Sequence, residues 1–135
     1  LDPTHNNDLR LHGQDLETLK IPPFTEVYEI DGPYFFGIAN KFDDISRRTH
    51  SGDQKVRIIR MRKVSFIDST GIHNLEQLHM RLQRDGIQLV LSGVNEKVFN
   101  TLDKAGLVNK IGRENVRNHI NGALARAEEI VKSDD

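Results

Sequence analysis

The chain has no cysteine among its 135 residues, so disulfides and thiol chemistry are excluded. It has no strong charge of either sign. The formal net charge is −1, which removes the electrostatic argument for nucleic-acid binding, a function that requires a basic surface. Its apolar runs fall far short of the roughly 20 residues that cross a bilayer, and no signal-peptide pattern is present. Of the six histidines (His5, His12, His50, His73, His79 and His119), no two stand one helical turn apart. That spacing would set a pair of imidazoles on one face, so no metal site is indicated. A P-loop and a G-x-S-x-G elbow are also lacking, and no histidine can be assigned as base to a serine. These absences speak against an enzyme and imply no cofactor.

What remains suits one domain with a core of ordinary size. Residues 1–20 are polar with a weak leucine pattern and read as a linker, ended by Pro22-Pro23. The compact region is expected from Phe24. "TEVYEI" alternates like a strand, "DGP" (Asp31 to Pro33) is a turn signal and "YFFGI" reads as a second strand. An antiparallel hairpin of these two is the expectation. Ile38, Phe42 and Ile45 have the spacing of one helix face. "VRIIRM" is too apolar for a strand exposed on one side, so an interior position is predicted.

Further on, Ile72, Leu75, Leu78, His79 and Leu82 form an amphipathic stripe that ends near Gly86. "IQLVLSG" is a strand. Asn95 caps a helix carrying Val98, Phe99 and Leu102, and Gly106 closes it. "LVNKIG" is read as a short strand, and Asn115 as the opening of a last helix with Val116, Ile120, Leu124 and Ala127 inward. Strand and helix alternate after the hairpin, which predicts an α/β fold: a mixed, mainly parallel sheet with packed helices and right-handed crossovers.

The specific stretch is "FIDSTG", Phe66 to Gly71, between an apolar strand and the amphipathic helix. Asp68, Ser69 or Thr70 can cap that helix by accepting one of its unpaired N–H groups. Capping needs one such residue, whereas three stand here in a row, at the strand end where α/β folds gather ligands. Ser69 is a candidate phospho-acceptor. Its phosphate would bring about −1.5 to −2 charge to the positive end of the helix dipole, opposed by Asp68.

These residues resemble the STAS domain, shared by sulfate transporters and anti-sigma-factor antagonists. The resemblance covers about Phe24 to Val131. "EIDGPYFFGIA" (Glu29 to Ala39) and "RMRKVSFIDSTG" (Arg60 to Gly71) are similar to the hairpins and strands common in SulP-type anion transporters. The resemblance implies a linker from a membrane domain over 1–23, a STAS domain over 24–131 and a solvated tail over 132–135. The start at Leu1 fits a chain cut below such a membrane domain. The implied role is a regulatory and protein-interaction domain at the cytoplasmic face of the membrane, outside the permeation path. The implied partners are the transmembrane domain of the same polypeptide, a cytoplasmic protein, and a second copy in a full-length dimer. A nucleotide is a further candidate ligand of the family, disfavoured by the missing P-loop. The implied interaction surface is Asp68, Ser69, Thr70, Gly71 and His73. The alternative is a free-standing anti-sigma-factor antagonist switched by phosphorylation of Ser69.

Other features have plainer readings. Arg57, Arg60, Arg62 and Lys63 suggest a basic patch, but on a strand they point both ways or lie at its ends, with their stems over apolar surface. Tyr34, Phe35 and Phe36 read as half core and half edge strand. His79 falls on the apolar stripe as a packed histidine, and His73 is expected to be exposed.

Overall fold

The computed structural model describes residues 10–11, 20–30, 32, 34–35 and 53–133. Strands β1 (Arg10–Leu11), β2 (Thr25–Glu29), β4 (Val56–Arg60) and β6 (Gln88–Ser92) form one sheet in the order β1-β2-β4-β6. Strands β3 (Tyr34–Phe35) and β5 (Phe66–Ile67) form a separate pair. The helices are α1 (Ser69–Arg84), α2 (Glu96–Lys104), α3 (Leu107–Ile111) and α4 (Ile120–Ser133).

β4 is the centre of the sheet. All five of its residues are buried, as a strand covered on both faces requires. It runs parallel to β2 and β6 in one register, from Thr25, Val56 and Gln88 to Glu29, Arg60 and Ser92. Alternation along the strands then builds two cores. Tyr28, Ile59, Leu89 and Leu91 pack with Leu75, Leu78 and Leu82 of α1 and with Val98, Leu102 and Leu107. Val27, Ile58 and Val90 pack with Ile120, Ala123, Leu124 and Ala127 of α4. Each fully buried leucine of α1, such as Leu75, contributes about 1.5–3 kcal/mol through its removal from water.

The predicted hairpin has different partners. An antiparallel pair does stand at the N-terminal edge, but it joins β1 to β2, with Arg10 opposite Glu29 and Leu11 opposite Tyr28. With β1 on one side of β2 and β4 on the other, no edge of β2 is left for the "YFF" strand. That strand instead runs parallel to β5, Tyr34 beside Phe66 and Phe35 beside Ile67. The sheet thereby takes in part of the 1–23 segment. The helix expected around Ile38, Phe42 and Ile45, and the side chain of Phe36, lie outside the described residues.

"LVNKI" is a helix, not a strand. Leu107, Val108 and Ile111 are its buried residues, a spacing that suits one helical turn. Gly106 at φ +83° both ends α2 and opens α3, a backbone conformation that glycine adopts at little cost. Asn115 does not open the last helix. It sits in a single 3-10 turn, Arg113–Asn115, and α4 begins at Ile120. There the His119 ring nitrogen Nδ1 accepts the backbone N–H of Asn121 at 3.1 Å. Between the two, Val116 forms a single parallel bridge to Leu91 on the free side of β6. Backbone bonds from Arg117 N–H to the Leu91 carbonyl and from Val94 N–H to the Arg117 carbonyl hold it there, at 2.8 and 3.2 Å.

Candidate functional site

The β3–β5 pair brings the sequence's two specific stretches together, because "YFF" now lies beside "FIDSTG". β5 ends at Ile67 and α1 begins at Ser69, so Asp68 is the whole connection. Its backbone is extended, at φ −99° and ψ −175°, and its Oδ1 accepts the N–H of Gly71 at 2.8 Å. Of the three capping candidates, Asp68 is therefore the one that caps. The hydroxyl-bearing Ser69 and Thr70 are left exposed, Gly71 is buried, and His73 is exposed one turn on. Apart from Asp68, no acidic residue lies in the first turn of α1. The helix thus presents its positive end, two hydroxyl side chains and an imidazole to the surface.

The turn rests on a loop with fixed backbone. After β4, Met61 N–H donates to the Ser92 carbonyl at 2.7 Å, and Val64 N–H turns back to the Met61 carbonyl at 3.0 Å. Asn95 serves twice: Oδ1 caps α2 by accepting the Val98 N–H at 2.7 Å, and Nδ2 donates to the Val64 carbonyl at 3.1 Å. Gly93, at φ +71°, lies so close that a Cβ built on it would come 2.8 Å from the Arg62 nitrogen. Arg62 in turn grips the fully buried Glu29. Nε reaches Oε2 at 2.7 Å and Nη2 reaches Oε1 at 3.3 Å. A buried carboxylate persists only with such charge-assisted partners.

Glu29 is a supporting residue the motif reading did not single out; Arg62 was read only within a basic patch, and Asn95 only as the cap of its helix, without the bond to the Val64 carbonyl. The signal for Glu29 was a charge at the end of an otherwise apolar alternation. The four basic residues do not stand together on one exposed face, because two of them are buried. Arg57 is buried, stacks 5.2 Å from the Tyr28 ring centre, and pairs with Glu26 at 2.8 Å. Arg60 is also buried, on the opposite face of the strand.

His79 lies on the other side of α1 from this turn's exposed residues. It is buried, and burial holds its pKa below the ordinary imidazole value. Nearby, the hydrogen bond and charge of Lys110 hold the Glu76 carboxyl below its ordinary pKa. No group of three His, Cys, Asp or Glu able to hold a metal occurs among the described residues. No helix among them is long and apolar enough to cross a membrane.

Residues 17–123 match the STAS domain family. Sulfate transporter 1.2 of Arabidopsis thaliana is 31% identical over 98 residues, which take in 64% of this chain and 15% of that protein. Among solved structures, a sulfate transporter family protein from Wolinella succinogenes superposes with a TM-score of 0.77 at 36% identity, covering 86% of this chain and 94% of that one. The SulP transporter STAS domain from Vibrio cholerae gives 0.74 at 32% identity, covering 84% and 88%.

Proposed function

The chain belongs to the STAS domain family, and on that footing we propose that it is the cytoplasmic regulatory and protein-interaction domain of a SulP-type secondary anion transporter, with sulfate as the anion. One observation carries the reading: the chain matches a sulfate transporter while spanning only 15% of its length. The permeation path then lies in the membrane domain of the same polypeptide. The domain performs no reaction of its own. It meets its partners through the start of α1, where Ser69, Thr70 and His73 are exposed over the Asp68 cap. Those partners are the membrane domain, a cytoplasmic protein and a second copy within a full-length dimer. Asp68 and Gly71 contribute shape and rigidity to that surface more than contacts.

The test is the size and place of the native polypeptide. An antibody to this domain should label a band far larger than the domain, in the membrane fraction. A band of the domain's own size in the soluble fraction would overturn the reading. It would favour the second one, an anti-sigma-factor antagonist switched at Ser69. The exposure of Ser69 at the first position of α1 supports that alternative, because a kinase could reach it and the helix dipole favours a phosphate there.

A further inference from the structure

The last helix opens on an asparagine–glycine pair. α4 begins at Ile120, and Asn121 and Gly122 are its next two residues. No other asparagine in the chain is followed by glycine. Such a pair can react with itself, because the glycine nitrogen, shielded by no side chain, can attack the amide carbon of the asparagine. A side chain in the glycine's place hinders that approach.

Both reacting groups are available here. The first N–H groups of a helix have no partner within it. Ala123 N–H reaches back to the His119 carbonyl at 3.2 Å, and Asn121 N–H to the His119 ring Nδ1 at 3.1 Å. Gly122 N–H, between them, meets no acceptor among the described residues. Asn121 is exposed, and nothing among the described residues hydrogen-bonds its side-chain amide. The Asp85–Gly86 pair at the end of α1 is a contrast, since Gly86 N–H is held by the Gln83 carbonyl at 3.1 Å.

A helical backbone keeps the nitrogen away from the amide carbon, so the ring closes only when the first turn opens. That opening is local. Ile120 and Ala123 are the turn's buried residues, whereas the backbone at Asn121 is tied to one exposed imidazole. Helix ends held in this way open at small cost.

We propose that Asn121–Gly122 is a modification site at which the asparagine deamidates without an enzyme. Gly122 N–H gives its proton to hydroxide from the solvent, and the nitrogen bonds to Asn121 Cγ. The Cγ–Nδ2 bond breaks, and Nδ2 takes a proton from water and leaves as ammonia. Water then opens the cyclic imide at either carbonyl, which leaves aspartate or isoaspartate at position 121. No oxidant or reductant takes part. Aspartate puts a negative charge at the positive end of the α4 dipole, in the groove that Asn121 lines with Lys20, Ile21, Pro22 and Leu124. Isoaspartate adds a methylene to the main chain and breaks the helical repeat of the first turn. The site therefore changes both the charge of that groove and the hold of α4 with time.

The test is peptide mapping by mass spectrometry of the full chain, kept folded at body temperature and slightly alkaline pH. Amide should turn to acid at Asn121 before it does so at any other asparagine of residues 53–133, and in two chromatographically distinct forms. Gly122→Ala should slow the loss by about tenfold or more, a rise of about 1.4 kcal/mol in the barrier. That variant fits the fold, because a Cβ at 122 meets Arg117 at an ordinary 3.6 Å and the residue has no positive φ. An equal rate in the variant would overturn the proposal. So would a folded chain that keeps Asn121 intact while the urea-unfolded chain loses it, a comparison that needs no variant.

Discussion

Arg62 holds the carboxylate of Glu29 with two nitrogens, although one residue is fully buried and the other 41% exposed. The half of the pair that water reaches is the arginine, so its loss takes two charge-assisted hydrogen bonds from a carboxylate that water does not reach. Arg62→Ala should cost about 1–3 kcal/mol, read from the urea midpoint. The same change made in a Glu29→Gln background should cost clearly less, because a neutral amide loses less with those two bonds than a carboxylate does. Equal costs in both backgrounds would mean that the pair adds nothing.

Asp68→Ala removes the side-chain cap of α1 and should lower stability by about 1 kcal/mol. Asp68→Asn should recover most of it, since an amide oxygen can still accept the Gly71 N–H. Thermal melting of the three chains checks the order.

Gly93 and Gly86 are both left-handed, at φ +71° and +77°, but only Gly93 faces a neighbour. Gly86→Ala should cost about 1–2 kcal/mol, the backbone term alone. Gly93→Ala adds a clash with the Arg62 backbone and should cost a further 1–3 kcal/mol or so. A denaturation series that ranks the two alike would refute the close approach.

Acid should weaken the fold in two stages. The folded pKa of His79 lies below its unfolded one. Its contribution is therefore complete well above about 6.5 and shrinks as pH falls through that value, by at most about 1.4 kcal/mol per unit. Glu76 is lowered from 4.5, so what it adds is present above that value and lost only below it. Stability measured by urea from pH 8 to 3.5 should bend first near 6.5. His79→Gln should remove that bend and leave the later one.

Ser69→Arg and Thr70→Arg touch exposed positions and should change stability by less than about 0.5 kcal/mol. In a full-length transporter they should lower sulfate uptake without lowering the amount of protein in the membrane. Unchanged uptake in both would overturn the proposal that the start of α1 is an interaction surface.

The central layers were legible because their periods are unambiguous. "VRIIR" can only be a covered strand, and Leu75, Leu78 and Leu82 can only be one helix face. Asp68 was legible as one of three candidates, and the geometry of a single connecting residue selects it. Pairing was not legible. Nothing local in "YFFGI" says that both sides of β2 are taken by Arg10–Leu11 and by β4, so the adjacent hairpin was the natural inference. "LVNKI" misleads through Val and Ile, which favour strands, whereas its position after Gly106 and its burial between helices make it helical. The Glu29–Arg62 contact joins residues 33 apart in sequence, a distance at which a single sequence carries no pairing signal.

The bridge from Val116 to Leu91 is one residue wide, yet it occupies the side of β6 on which another strand could add. It works as a stopper: at Leu91 the edge of β6 is already taken, so a second copy cannot add a strand there while residues 113–117 stay in place. Any change that withdraws residues 113–117 would uncork that edge and turn the domain into a template for strand addition.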